Sequence, residues 1–145
     1  MIKAQKSDFF RIKRLVKIYY NLRQGELIGR HTELLFLFKI KNPNHPHHHF
    51  EVYISRMSLK HFVERRKEEF SKNNSEDTAL SLIYKILDKT HDVMINFDSY
   101  KFELSNKHFY DKEYFLSPTH ARILRILLEI KENRLEIISM HFRRK

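Results

Sequence analysis

No cysteine occurs among the 145 residues, which removes a disulfide framework, a thiolate nucleophile and a sulfur-ligated zinc from consideration. A reducing compartment is permitted, and a cytoplasmic location is expected. Only two glycines are present, Gly25 and Gly29, both in one early segment. Neither a glycine-rich phosphate loop nor a dinucleotide fingerprint can be assembled from them, so nucleotide-dependent chemistry through those motifs is excluded. The N-terminal stretch MIKAQKSDFFRIKRLVKIYY threads charges through its apolar residues and lacks the uninterrupted apolar core of a signal peptide. No run approaches the roughly 20 apolar residues needed to cross a bilayer, so no membrane partner is expected.

Positive charge is abundant. Lys and Arg number 28 against 18 Asp and Glu, a formal net charge of +10, which favours a polyanionic partner without naming it. The length suits one domain that buries about two thirds of its unfolded surface, and is too short for two ordinary ones.

Residues Asp8 to Arg23 place Phe9, Ile12, Val16 and Tyr19 or Tyr20 at helical spacing, with Ser7 or Asp8 as N-cap and Gly25 just past the end. The outer face carries Arg11, Lys13, Arg14, Lys17 and Arg23. It can track an RNA backbone, dock on an acidic protein surface, or simply be solvated. Glu33 to Lys41 and Phe50 to Ser55 read as neighbouring strands. The loop between them, NPNHPHHH, holds His45, His47, His48 and His49. It is expected to be an exposed hairpin loop that chelates metal only adventitiously, because functional metal sites draw ligands from separate rigid positions.

Met57 to Phe70 forms a second helix striped by Leu59, Phe62, Val63 and Phe70, with Ser55 or Ser58 as cap. Its polar side sets His61, Glu64 and Arg65 on adjoining turns and adds Lys60 and Arg66, which combines a tunable acid or base with groups that contact phosphate. A surface helix laced with intrahelical ion pairs is the plainer reading. A third helix is expected over Asp77 to Thr90, capped by Asp77, then aromatic strands over Asp92 to Leu104 and Lys107 to Leu116. Two apolar runs separated by Lys131-Glu132-Asn133-Arg134 close the chain as a β-hairpin. On it or at its edge lie Ser117, Thr119, His120, Arg122, Arg125, Ser139, His141, Arg143 and Arg144, the kinds of group that metal-independent RNA cleavage requires. The element order gives an α+β fold, with helices packed on a four- to five-stranded antiparallel sheet and a C-terminal β-hairpin.

The segment YISRMSLKHFVERRKEE, followed by a helix, an aromatic strand pair and the closing RILRILLEIKENRLEIISMHF hairpin, resembles phage-associated nucleases of the barnase, EndoU, colicin and RelE superfamily. The resemblance spans residues 50–145, a nuclease-like core within a single domain. The N-terminal helix, strand and His-rich loop of residues 1–49 lie outside it. It implies a toxin-type endoribonuclease that cleaves by transesterification to a 2′,3′-cyclic phosphate, with no metal or cofactor. The implied catalytic positions are His61, Arg65, Thr119, His120, Ser139 and His141, with His61 and either His120 or His141 as the proton-transfer pair. Lys60, Arg66, Arg122 and Arg143 would bind RNA, and an acidic antitoxin or immunity protein would be a natural partner. Two other classes fit the same residues: a non-catalytic nucleic-acid-binding module, and a basic protein-binding accessory factor.

Overall fold

The computed structural model describes residues 7–22, 29–117 and 120–143. In chain order the elements are α1 (Phe9–Tyr20), β1 (Leu34–Lys39), β2 (Glu51–Ser55), α2 (Arg56–Phe70), α3 (Glu76–Ile95), β3 (Ser99–Glu103), β4 (Lys107–Ser117), β5 (His120–Lys131) and β6 (Arg134–Arg143). Period-two alternation drives the C-terminal strands. Leu124, Ile126 and Leu128 are fully buried while Ile123, Arg125, Leu127 and Glu129 between them are only half-buried, so one face of β5 meets the helices and the other does not. The β5–β6 hairpin turns at Glu132 and Asn133, with Glu132 in the left-handed region at φ 56°.

The α+β class and the C-terminal hairpin stand, but the sheet has six strands in the order β1-β2-β6-β5-β4-β3 and is mixed. Val52 and Ile54 of β2 pair in parallel with Leu135 and Ile137 of β6, continuing the buried row of the hairpin. This addition corrects the expectation of a purely antiparallel sheet of four or five strands. It also brings the first fifty residues into the common core, where Ile12, Leu15, Val16, Leu35, Leu37 and Ile40 pack with residues from all the later helices. Asp8 covers the outer edge of β1. Its N–H donates to the Phe36 carbonyl and its Oδ2 accepts from the Phe36 N–H, both at 2.8 Å, so its carboxylate serves the strand and does not cap α1.

The caps of the other helices follow sequence logic with one change. Ser55 caps α2 by accepting from the Ser58 N–H at 3.1 Å, whereas α3 is capped by Ser75 and not Asp77, which sits in the first turn. The third helix also runs past Thr90 to Ile95. Val93 and Met94, expected in a strand, extend the buried series Ile83, Ile86, Leu87 and Thr90 at helical spacing, and tertiary burial overrides the local preference of β-branched residues for strands.

One irregularity positions everything that follows. Leu128 faces Ile137, but Leu127 faces Ser139, which leaves Ile138 as the extra residue of a β-bulge. The bulge reverses the alternation of β6. Met140 turns into the core opposite Ile126, while His141 pairs with Arg125 on the other face of the sheet.

Candidate functional site: an arginine-rich cluster beside His141

Across β4, β5 and β6, three directly paired residues line up: Asp111 opposite Arg125, and Arg125 opposite His141. All three project from the sheet face that Tyr110, Ile126 and Met140 turn away from. Asp111 is only 4% exposed. It accepts two hydrogen bonds from Arg125, Nε to Oδ1 and Nη2 to Oδ2, each at 2.8 Å, the bidentate geometry that makes an arginine–carboxylate pair strong. Arg143 approaches the same Oδ2 at 3.4 Å. The Arg125 guanidinium also lies 4.9 Å from the centre of the Phe109 ring, and this stacking fixes its plane further.

A third guanidinium arrives from the helices. Leu59, Phe62 and Val63 form the buried stripe of α2, and Arg66 continues that stripe at the i+3, i+4 and i+7 positions. Its side chain is 12% exposed and pairs with Glu69 at 3.2 Å. The charges of Arg66, Arg125 and Arg143 all act on the His141 imidazole.

The electrostatics follow from burial and these neighbours. Burial first, then the charges of Arg66 and Arg125, with a further contribution from Arg143, hold His141 below the ordinary histidine range against the opposing pull of Asp111. His141 is therefore neutral at physiological pH and able to accept a proton. Burial works to raise Asp111, but the hydrogen bonds and charges of Arg125 and Arg143 outweigh it and keep the carboxylate ionised. Three buried side-chain polar atoms have no hydrogen-bond partner among the described residues, the Tyr19 hydroxyl and the Nε atoms of Arg66 and Arg143, and the two guanidinium donors belong to groups whose charge acts on His141. Unpaired buried N–H groups are costly, and an anion is the ligand that guanidinium donors accommodate best. The positive charge of this face therefore favours an anion near a neutral imidazole.

Of the expected site residues, His141 and Arg143 share this sheet face with Arg125, and the charge of Arg66 also acts on His141. Ser139 lies two residues before His141 on the same strand and is half-buried. His61 and Arg65 project from the exposed side of α2, away from the Leu59–Arg66 stripe, and His61 is not among the groups whose charge acts on His141. The expected pairing of His61 with His141 is not formed, because a residue two positions after Leu59 points to the opposite side of a helix. Lys60 is paired with Glu64 at 2.8 Å, and Arg122 donates to the Ala121 carbonyl at 2.9 Å. The backbone of His120 opens β5 opposite Ser117, while Thr119 and Arg144 lie outside the described residues. Asp111, which organises the cluster, was missed. An acidic residue inside the aromatic run of β4 gives no sign in the sequence of which arginine will face it.

The His-rich loop is not the exposed loop expected. His45 and His47 are 6% and 5% exposed and anchor the loop over the end of α3 and the inner face of β4. His45 Nε2 lies 2.6 Å from the Met94 carbonyl, and its Nδ1 accepts from the His47 N–H at 2.9 Å. Those two bonds define a neutral ring with its proton on Nε2. His47 Nδ1 lies 2.5 Å from the Tyr110 hydroxyl, and Tyr100 joins His108 at 2.6 Å. The rings of His45, His47, Phe50, Phe97, Tyr100, His108 and Tyr110 pack together. Two of the four loop histidines are thus core residues.

Comparisons of the chain with protein-family models, curated proteins and solved structures returned no match. Among the described residues, no helix is long and apolar enough to cross a membrane. No group of three or more His, Cys, Asp or Glu side chains there is placed to hold a metal ion.

Proposed function

We propose that the protein is a toxin-like endoribonuclease that cleaves RNA by transesterification at the Asp111–Arg125–His141 cluster, as the resemblance to barnase- and RelE-type nucleases also suggests. The observation that supports this reading is a neutral imidazole paired across the sheet with Arg125 and lowered by the charges of three guanidiniums, two of which keep a buried Nε–H without an acceptor. In such a site His141 removes the proton of the RNA 2′-hydroxyl, and the 2′-oxygen attacks the adjacent phosphorus. The 5′-oxygen leaves and takes its proton from water. The products are a 2′,3′-cyclic phosphate and a free 5′-hydroxyl. Arg66, Arg125 and Arg143 hold the phosphoryl oxygens as their charge develops, while Asp111 positions Arg125 and Arg143. His61 takes no part in the chemistry. An acidic antitoxin or immunity protein covering this face would match its charge.

The test is digestion of total RNA and of tRNA by purified protein in EDTA. Wild type is expected to yield fragments ending in 2′,3′-cyclic phosphate, and His141→Ala to lose on the order of a hundredfold or more in rate, with His61→Ala nearly unchanged. A wild type that binds RNA without cutting it would instead favour the non-catalytic binding module.

A further inference from the structure

A second basic feature lies away from the His141 cluster, on the outer surface of α1. An open cavity of about 450 Å³ is lined by Phe10, Lys13, Arg14, Lys17 and Tyr84. Its volume falls in the range of ordinary ligand sites. Two of its five lining residues are aromatic, three are cationic, and none is acidic.

The state of each side chain sharpens this. Phe10 is 84% exposed, although it stands one position from Phe9, which packs on the core. Of the basic residues that define the outer face of α1, Arg11 is paired with Glu33 and Lys13 with Asp88. Arg14 and Lys17 are exposed and have no carboxylate partner among the described residues. Phe10, Arg14 and Lys17 follow one another at i, i+4 and i+7, so they share one edge of the helix over about 10 Å. On the opposite wall Tyr84 is held in place by donating its hydroxyl hydrogen to the Lys13 carbonyl at 3.2 Å. The result is a fixed aromatic wall, a free aromatic ring and two unpaired cations.

We infer that this cavity is a binding site for single-stranded nucleic acid, with a base stacked on Phe10 against Tyr84 and the flanking phosphates on Arg14 and Lys17. Stacking platforms set in a positively charged groove are how proteins hold unpaired strands without reading sequence. The charge complementarity selects a polyanion, and the exposed ring selects one that carries flat apolar groups. This site extends the proposed function by giving the RNA a second point of contact outside the cleavage cluster. It stands even if no cleavage occurs, since a binding module would use it in the same way.

The test measures binding of a fluorescently labelled ten-nucleotide oligodeoxynucleotide by anisotropy at several salt concentrations. The probe lacks the 2′-hydroxyl, so its binding is read separately from cleavage. Phe10→Ala is expected to weaken binding at least fivefold, in line with the loss of one stacked base. Arg14→Ala/Lys17→Ala is expected to weaken it further and to flatten the dependence of log Kd on log salt by about one to two. All three side chains are exposed, and unchanged thermal melting will show that the variants fold. Wild-type affinity in Phe10→Ala would overturn the stacking site, and an unchanged salt slope in the double variant would overturn the phosphate contacts. Equal displacement of the probe by polyglutamate would assign the surface to an acidic protein instead. Failure of RNA cleavage with these results intact would remove the nuclease reading alone.

Discussion

Lowering the pH should unfold this protein from within, through His47. The ring is buried, and its neighbours His108 and His45 both oppose a second positive charge; burial is the largest cause, and together they hold its pKa at about 4. In the unfolded chain the same imidazole titrates near 6.5. Between those values the unfolded state takes up a proton that the folded state refuses, so stability is complete above about pH 6.5 and declines as the pH falls toward 4. Linkage gives a loss of about 2 kcal/mol at pH 5 and about 3 kcal/mol at pH 4 from His47 alone. That is a large part of a typical domain stability of ~5–15 kcal/mol. His45, His108 and His141 are shifted in the same direction by burial and steepen the decline.

Urea unfolding followed by circular dichroism at pH 7.5, 6 and 5 measures this directly. From pH 7.5 to 5 the contribution of His47 should lower the midpoint by roughly 1 M, with the slope of the transition unchanged. The control is His47→Asn, whose side chain reaches the Nδ1 position beside the Tyr110 hydroxyl but does not titrate. It should be less stable than wild type at pH 7.5, because the ring contacts to Phe50, Tyr100 and His108 are gone, yet lose about 2 kcal/mol less between pH 7.5 and 5. If the two proteins lose stability in parallel, His47 titrates normally in the folded state and the reasoning is wrong.

Two further perturbations address the Asp111–Arg125–His141 cluster. Asp111→Asn leaves Arg125 without its bidentate partner and should destabilise the fold by about 3 kcal/mol, seen as a fall of about 10 °C in thermal melting; a change under 2 °C would mean that solvent already screens the pair. Deleting Ile138 removes the extra residue of the bulge and leaves Leu127 opposite Ser139, Ile126 opposite Met140 and Arg125 opposite His141 in a regular ladder. The expected result is a folded variant that keeps Met140 in the core and retains RNA cleavage, destabilised by about 1–3 kcal/mol, and loss of cleavage with the fold intact would show that the bulge itself shapes the His141 cluster.

The sequence made the hairpin legible because Leu124, Ile126 and Leu128 alternate strictly and a polar four-residue break follows them. It showed the stripe of α2 for the same kind of reason, and it named Ser55 among the caps. Other features were hidden by competition between local and distant effects. Val93 and Met94 have the local composition of a strand, but their spacing from Ile86 and Thr90 keeps them on the buried side of α3. The doublet Ile137-Ile138 is apolar at both positions, so a linear reading cannot tell which residue is the bulge, and with it which face His141 takes. The histidines of NPNHPHHH look solvated because of the prolines and polar neighbours. Met94 and Tyr110, which accept two of them into the core, come from segments 49 and 63 residues away in sequence. The parallel pairing of β2 with β6 is equally distant, and nothing in FEVYIS announces its partner.

Strand β4 links the two histidine environments. Tyr110 faces inward and meets His47, while the next residue, Asp111, faces outward and holds Arg125 and Arg143. Acid therefore acts on the proposed chemistry by two routes. Protonating His141 removes a base reversibly in the folded protein, whereas protonating His47 loosens the loop packed against Tyr110 and with it the strand that carries Asp111. Both routes reduce activity in the same direction as pH falls, so a pH profile of the wild type merges them. Only the first survives in His47→Asn, and there the acidic limb of the cleavage profile reports His141 itself. Because burial and the charges of Arg66, Arg125 and Arg143 lower that imidazole, the limb should lie below the ordinary histidine range, and a bound phosphate that neutralises the guanidiniums should move it upward.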